Sequence, residues 1–169
     1  MENNFVEIPP SELTGNVFSL MDKDWMLITA KKPDGKINTM TAAWGCYGIL
    51  WRRPVAVCYI RPQRYTLEFV NSTDRFTLNF LEDGHRKDMN YCGTVSGRDE
   101  DKIAKCGFTL LGDPPYFAES KIVIFVRKLY CQRLDEECFI DKSIIPQLYP
   151  EADFHYTFVN QIEKVYIKK

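Results

Sequence analysis

The chain lacks the residue patterns of several specialised protein classes. Its two histidines form no zinc-type spacing with the six cysteines, and no pair of cysteines has C-x-x-C spacing. We therefore predict no metal site. Twenty-two basic and twenty-three acidic residues leave a net charge of −1, which argues against a nucleic-acid or anionic-membrane partner recognised by bulk charge.

Long apolar runs and nucleotide-binding fingerprints are also missing. No apolar stretch approaches the roughly 18 residues of a transmembrane helix. The start, residues 1–4, has neither the basic nor the apolar region of a signal peptide. We expect a cytoplasmic protein without a membrane partner. The absence of G-x-G-x-x-G and of G-x-x-x-x-G-K-[ST] disfavours a Rossmann or P-loop domain.

The six cysteines are expected to be reduced and structural, because disulfides are rare in cytoplasmic proteins. Cys46 and Cys92 are the two exceptions to follow. Both lie in or beside segments that contain candidate ligand-binding residues.

Hydrophobic residues make up 45% of the 169 residues, enough for one domain with a sizeable core, which we assign to residues 1–169. Runs rich in β-formers predict strands at residues 25–31, 37–47, 55–60, 75–80, 122–134 and 155–167, with 55–60 central and 75–80 half-buried. Short helices are predicted at residues 65–71, 85–91 and 98–106, and turns at 33–35 and 112–115. Residues 1–24 read as an irregular arm and residues 143–149 as a connector. Many strands with short inserted helices favour an antiparallel barrel.

The stretch from residue 38 to residue 80 carries the clearest chemistry. It begins with NTMTAAW, whose small residues let the backbone approach a flat ligand, and continues through an apolar strand to RPQRYT. Arg64 offers a planar fork of donors suited to phosphate oxygens. Thr66 stands at a predicted helix start, where free N–H groups and the dipole also favour an anion. Taken alone, these two residues could equally be a surface charge and a helix cap.

These pieces, in this order, resemble the flavin reductase-like family, whose members bind FMN on a split β-barrel. The likeness extends to RFTLNF at residues 75–80, to YCGTVSGRD at 91–99 and to the closing segments at 153–155 and 162–166. It implies a mainly β fold, an antiparallel split β-barrel of Greek-key type with short inserted helices.

The resemblance also implies a set of site residues. The flavin ring and the ribityl chain would be lined, largely through backbone groups, by Asn38, Thr39, Met40, Thr41, Ala42 and Ala43. Trp44 belongs to this group or to the buried core. The phosphate would be held by Arg64 and Thr66, with Arg61 and Tyr65 beside them. A loop would bring Ser96, Gly97 and Lys102 to the phosphate or ring, although these could also be a helix start and an exposed lysine. His155 is a catalytic candidate or a structural histidine.

The implied function is that of an FMN-dependent oxidoreductase. NAD(P)H would be a transient reductant, the acceptor is unknown, and the protein would be a homodimer. One departure leaves alternatives open: residues 135–137, Asp-Glu-Glu, stand where relatives often carry Gly-Asp-His. The chain could instead be a flavoredoxin-like electron carrier with weak NAD(P)H activity, or a non-catalytic module for a flavin or another flat ligand.

Overall fold

The computed structural model describes residues 4–169. Within these residues the chain forms ten strands: β1 (Phe5–Ile8), β2 (Met26–Lys31), β3 (Ile37–Ala42), β4 (Gly45–Leu50), β5 (Arg53–Ile60), β6 (Arg75–Leu81), β7 (Leu110–Leu111), β8 (Tyr116–Phe117), β9 (Ser120–Arg133) and β10 (Tyr156–Lys168). The α-helices of the same residues are short: α1 (Val17–Ser19), α2 (Thr66–Asn71), α3 (Arg86–Thr94), α4 (Lys102–Cys106) and α5 (Ile144–Leu148). A π-helical turn follows α1 at Leu20–Asp24, and 3-10 turns lie at Pro10–Glu12 and Glu136–Cys138.

One antiparallel sheet organises the molecule. Its strand order is β3-β2-β6-β9-β10-β5-β4, and β1 pairs with β10 outside this path. β10 pairs with β9 along one edge, while its other edge pairs first with β5 and then with β1. β7 and β8 form a separate small hairpin. The predicted mainly β, antiparallel architecture with short inserted helices is confirmed.

The main core lies on one face of the strands. Side chains alternate between the two faces of a strand, so Met26, Ile28 and Ala30 of β2 all enter this core. They pack there with alternate residues of β6 and β9 and with the apolar side of α2. A second cluster on the opposite face, formed by Leu27, Cys92 and others, fixes α3 and α4 against β2.

β6 is buried on both faces, so the prediction of a half-buried strand was wrong. Its polar residues, Thr77 and Asn79, are fully buried beneath the β7–β8 hairpin. Asn79 Nδ2 donates to the Leu27 carbonyl at 3.2 Å, and its Oδ1 accepts from the Phe117 backbone N–H at 3.2 Å. Hydrogen bonds of this kind allow polar side chains to occupy an interior position.

The predicted strand at residues 37–47 is divided into two. β3 ends at Ala42, and β4 begins at Gly45 and pairs with β5 instead of continuing along β2. A Cβ on Gly45 would lie 2.7 Å from the Val57 carbonyl oxygen, so this close approach of two backbones requires glycine.

Three further element predictions need correction. The helix expected at residues 98–106 begins only at Lys102, because Asp101 Oδ1 caps it by accepting from the backbone N–H groups of Ile103 and Ala104, both at 3.1 Å. Residues 96 and 97 therefore lie in the preceding loop. The arm predicted as irregular contains β1, and the connector at 143–149 contains α5.

Candidate functional site

A cleft of about 390 Å³ opens where β3, the β5–α2 loop and the loop after α3 meet. Three of its lining residues are cationic and none is acidic. The cleft brings together nine of the residues predicted to bind the cofactor: Asn38, Met40, Arg61, Arg64, Tyr65, Thr66, Ser96, Gly97 and Lys102.

Two of the cations are anchored on the last turn of α3. Arg64 Nη1 donates to the Gly93 carbonyl at 2.5 Å, and Lys102 Nζ donates to the Cys92 carbonyl at 2.9 Å. The last carbonyls of a helix lack intrahelical partners and carry the negative end of its dipole, so they attract cations. The end of α3 thus holds a guanidinium and an ammonium side by side at the cleft.

Both of these cations are shielded from water, Lys102 almost completely and Arg64 in part. Lys102 is buried although it is charged, and its ammonium group, which has three donors, donates to the Cys92 carbonyl. Burial lowers the pKa of Lys102, and the positive charge of Arg64 acts in the same direction. Burial likewise lowers the pKa of Arg64, reinforced by Arg61. An anion bound between them would relieve both effects.

Arg61 lines the same cleft but is already neutralised. Its guanidinium forms an ion pair with Asp153, donates to the Leu148 carbonyl at 2.8 Å and lies over the Tyr149 ring. Hydrogen bonds from Gln63 and from Arg61 hold the pKa of Asp153 below its usual value. Arg61 therefore fastens the segment before β10 to the cleft.

Asn38, Thr66 and Gly97 form the wall opposite the cations. Asn38 Nδ2 donates to Thr66 Oγ1 at 2.9 Å, which leaves the hydroxyl proton of Thr66 available for a ligand. A Cβ on Gly97 would overlap the Asn38 amide, only 2.8 Å from its Cγ. Thr66 is the first residue of α2. A capping hydroxyl would bond to the helix backbone, whereas the Thr66 hydroxyl accepts from the Asn38 side chain.

Five predicted residues do not line the cleft with their side chains. Thr39 Oγ1 donates to the Ile28 carbonyl, Thr41 Oγ1 donates to the Met89 carbonyl, and Ala42 is part of the core. Ala43 and Trp44 follow the end of β3. β3 is an edge strand whose outer side has no strand partner among residues 4–169, so its backbone groups are free to face a ligand. Their role in lining the ring stays a prediction.

Trp44 and His155 pack against each other near the cleft, with their ring planes tilted by 40°. Trp44 is 41% exposed, so it is not a core residue, and its ring centroid lies 4.7 Å from that of His155. His155 is only 8% exposed, and its Nδ1 shares a hydrogen bond of 2.9 Å with Tyr149 Oη. Burial lowers the pKa of His155 to about 4, so its ring is neutral near pH 7. A catalytic role for His155 stays a prediction.

Three lining residues were not predicted: Gln63, Thr94 and Val95. Each lies inside a segment that the sequence had singled out, Gln63 within RPQRYT and the other two within YCGTVSGRD. Their position between predicted residues was the available signal.

The acidic residues 135–137 lie on the surface next to the His155 strand. Asp135 Oδ1 accepts from the Glu137 backbone N–H at 3.0 Å and starts a 3-10 turn, and all three side chains are exposed. Leu134 N donates to the His155 carbonyl at 2.9 Å. This hydrogen bond joins the backbone next to the acidic residues to the backbone of His155.

Residues 4–169 contain neither a cluster of metal ligands nor a membrane-spanning helix. No group of three or more His, Cys, Asp or Glu side chains there could hold a metal ion. None of the helices in this part of the chain combines the length and apolar character needed to cross a bilayer.

Comparisons with known proteins agree on one family. A family model described as flavin reductase like domain matches residues 18–131. Flavoredoxin of Desulfovibrio vulgaris (Miyazaki F) is similar with a TM-score of 0.67 and 21% identity, over 86% of this chain and 69% of that chain. For flavoredoxin from Methanosarcina acetivorans the TM-score is 0.68 and the identity 23%, over 94% and 75% of the two chains.

A third structure is the FMN-binding domain of a flavin reductases-like enzyme from Shewanella baltica OS155. It gives a TM-score of 0.69 at 16% identity, over 98% of this chain and 78% of that chain. Comparison with curated proteins gave no match. The structural likeness confirms the predicted split β-barrel fold.

Proposed function

The chain belongs to the flavin reductase like domain family, and from this membership we propose that it is a flavin-binding oxidoreductase that holds FMN in the cleft. The observation that carries this proposal is a pair of cations, the half-buried Arg64 and the buried Lys102, whose side chains donate to carbonyls in the last turn of α3. A phosphate monoester carries about −1.5 to −2 charges at pH 7, which matches two cations in a cleft without acidic residues.

The remaining lining supports the fit of a phosphorylated, flat ligand. Thr66 and Ser96 offer hydroxyl groups beside the cations, and Gly97 leaves room for the amide of Asn38, which also lines the cleft. The unpaired edge of β3 offers backbone donors and acceptors for the rim of a planar ring. When bound, FMN supplies the hydride and electron-transfer chemistry.

The task of the protein's own residues is to bind and orient. NADH or NADPH is the proposed transient reductant. Hydride transfer needs no side-chain acid or base, which agrees with a His155 that is buried, neutral and hydrogen-bonded to Tyr149. We assign His155 to positioning Trp44, since the two rings are in contact with centroids 4.7 Å apart.

Spectroscopy of the purified protein tests this proposal. The protein is expected to take up FMN more tightly than riboflavin, and the bound flavin is expected to bleach when NADH or NADPH is added without oxygen. Protein that takes up neither flavin would contradict the proposal and would leave a module for some other ligand.

An electron carrier is the second proposed function, and the acidic surface at residues 135–137 favours it. Three exposed carboxylates would repel the diphosphate of a nicotinamide dinucleotide that approached from the Trp44–His155 side. The same anaerobic experiment separates the two functions. A flavin that is bound but not bleached by either nicotinamide, and that exchanges electrons with dithionite, identifies the carrier.

We further propose a homodimer in the cytoplasm. β4 is an edge strand, and the end of its hairpin with β5 exposes three large apolar side chains, Ile49, Leu50 and Trp51. Exposed apolar patches of this kind mark interaction sites. A second copy of the chain would cover both the strand edge and the patch.

A further inference from the structure

Two cysteines face each other behind the cation pair. Cys92 Sγ in the last turn of α3 lies 3.9 Å from Cys106 Sγ at the end of α4. All six cysteines are free thiols, and Cys92 is fully buried whereas Cys106 is partly exposed. The second hydrophobic cluster holds both residues in place between the helices and β2.

We propose that Cys92 and Cys106 form a disulfide when a peroxide oxidises them. We further propose that this disulfide weakens the binding of phosphate by Arg64 and Lys102 in the cleft. The chemistry balances in two steps. Hydrogen peroxide oxidises the Cys106 thiol to a sulfenic acid and releases one water. The Cys92 sulfur then attacks the Cys106 sulfur, the S–OH bond breaks, and the disulfide and a second water form. Two thiols are oxidised and one peroxide is reduced.

Exposure sets the order of these steps. Cys106 is the thiol that a dissolved oxidant reaches, and Cys92 is the buried partner that resolves the sulfenic acid. The oxidant has a local source if the proposed function holds, because reduced flavin and dioxygen give hydrogen peroxide. The disulfide site itself depends only on the two side chains.

The thiols are slow to react at neutral pH. Burial raises the pKa of Cys92 to about 12 and also raises the pKa of Cys106. Among the charged neighbours, Asp88 on α3 acts in the same direction and Lys102 on α4 opposes it. Because the thiolate is the reactive form, oxidation should be faster at about pH 9 than at about pH 7.

The same two helices hold the side chains of the two phosphate-binding candidates, Arg64 and Lys102. The Cys92 carbonyl accepts from Lys102 and the neighbouring Gly93 carbonyl accepts from Arg64. Lys102 and Cys106 are the first and last residues of α4. We expect closure of the 3.9 Å gap between the sulfurs to a bond of about 2.05 Å to shift the last turn of α3 against α4. Such a shift would alter the hydrogen bonds from Arg64 and Lys102 to the end of α3.

Mapping of the oxidised protein tests the site. The reduced, flavin-free full chain is treated with hydrogen peroxide, and unreacted thiols are alkylated after denaturation. We expect two of the six thiols to be protected, a mass decrease of about 2 Da for the two hydrogens lost, and a linked peptide pair containing Cys92 and Cys106.

Single variants give the controls. Cys106→Ser should abolish the linked peptides, whereas Cys138→Ser, which removes an exposed cysteine elsewhere, should leave them unchanged. Accumulation of sulfinic acid at Cys106, linkage to another cysteine, or full alkylation of both thiols after peroxide treatment would overturn the site.

Flavin affinity tests the coupling. Oxidised protein is expected to bind FMN about threefold or more weakly than reduced protein, with riboflavin unchanged, because charge-assisted bonds to phosphate depend on donor geometry. Equal FMN affinity in both states would overturn the coupling. If reduced protein binds neither flavin, the proposed function fails while the peptide map still decides the site.

Discussion

The contact between Gly97 and Asn38 sets the width of the cleft. A methyl group on Gly97 would overlap the Asn38 amide and break its hydrogen bond to Thr66. We therefore expect Gly97→Ala to weaken FMN binding about tenfold or more, measured by fluorescence titration. The thermal stability should fall as well, because the displaced Asn38 amide loses a buried hydrogen bond to Thr66.

Two companion variants make this prediction specific. Gly48→Ala adds a methyl group on β4 where nothing lies within 4 Å, so its FMN affinity should match that of the wild type. Replacing Asn38 by Ala in the Gly97→Ala background removes the overlap and should recover part of the loss. If Gly97→Ala bound FMN as tightly as the wild type does, the ligand would have to bind outside this cleft.

Arg64 distinguishes the phosphate from the ring of the ligand. Arg64→Ala should weaken FMN by roughly 1.5–3 kcal/mol, the range for a hydrogen bond to a charged group, and riboflavin much less. Calorimetric titration with both flavins measures the difference. Arg75→Ala, which removes an exposed arginine paired with Glu163, is the matched control and should leave both affinities unchanged. Equal losses for both flavins in Arg64→Ala would show that this side chain does not hold the phosphate.

His155 makes the stability of the fold depend on pH. Its pKa falls from 6.5 to about 4 in the folded chain, so the unfolded chain binds the proton first as the pH drops. The stabilisation is complete above about pH 6.5 and is lost between there and about pH 4. As the pH falls from about 7 to about 5, protonation at this residue should lower the unfolding free energy by about 2 kcal/mol.

Urea unfolding at the two pH values measures this loss. His155→Gln removes the contribution of this histidine and retains every other titrating group. The unfolding free energy of the variant should therefore decrease less than that of the wild type as the pH falls. Identical pH dependence in the variant and the wild type would contradict a depressed pKa at His155.

The site residues could be predicted to different degrees, and the reasons are physical. Arg64 and Thr66 were foreseen because charge and helix-start chemistry are local properties of the sequence. Gln63 and Val95 were missed because they line the cleft only through the way two distant loops meet. The anchoring of Lys102 on the Cys92 carbonyl depends on the packing of α3 against α4, which no local pattern encodes.

At the level of elements, β6 depends on one buried amide. Asn79 connects β6 to β2 and to β8 through both ends of its side chain. Asn79→Ala leaves buried backbone groups without partners and should lower the unfolding free energy by about 2–4 kcal/mol, measured by urea denaturation. Asn90→Ala removes an exposed amide on α3 and should change it very little. A small effect at Asn79 would mean that its contacts are replaceable.

Some elements could be predicted from the sequence and others could not. β9 and β10 carry long runs of β-forming residues, and α2 follows a helix-start signal, so each was predicted with small errors at its ends. The β4–β5 hairpin turns through Trp51 and Arg52, with φ of 52° and 58°. Such left-handed turns normally use Asn-Gly, so this pair gave no turn signal. β1 was missed because it is stabilised by pairing with β10, a strand far along the chain, and its own sequence gives no strand signal.

On the scale of the whole molecule, the β4–β5 turn forms an apolar corner of the surface. Ile49 is 76% exposed and Trp51 55% exposed, and both lie at the edge of the sheet. If a second copy covers this corner, Ile49→Lys should convert the dimer to a monomer in light scattering coupled to size-exclusion chromatography. Unpaired charge at the centre of an apolar contact is strongly unfavourable.

A matched surface variant controls for general effects of charge. Ile140→Lys changes a fully exposed isoleucine on another loop and should leave the dimer intact. A wild-type protein that elutes as a monomer at all concentrations would refute the dimer, and loss of dimer in both variants would remove its assignment to the β4 corner.

The position of β10 in the sheet has a consequence for synthesis of the chain. Within residues 4–169, β10 alone joins the β3-β2-β6-β9 half to the β5-β4 half and to β1. Until residue 156 and those after it leave the ribosome, the nascent chain can form only separate fragments with unpaired edges. Such edges are prone to aggregation, so assembly should be abrupt, late and sensitive to chaperone supply.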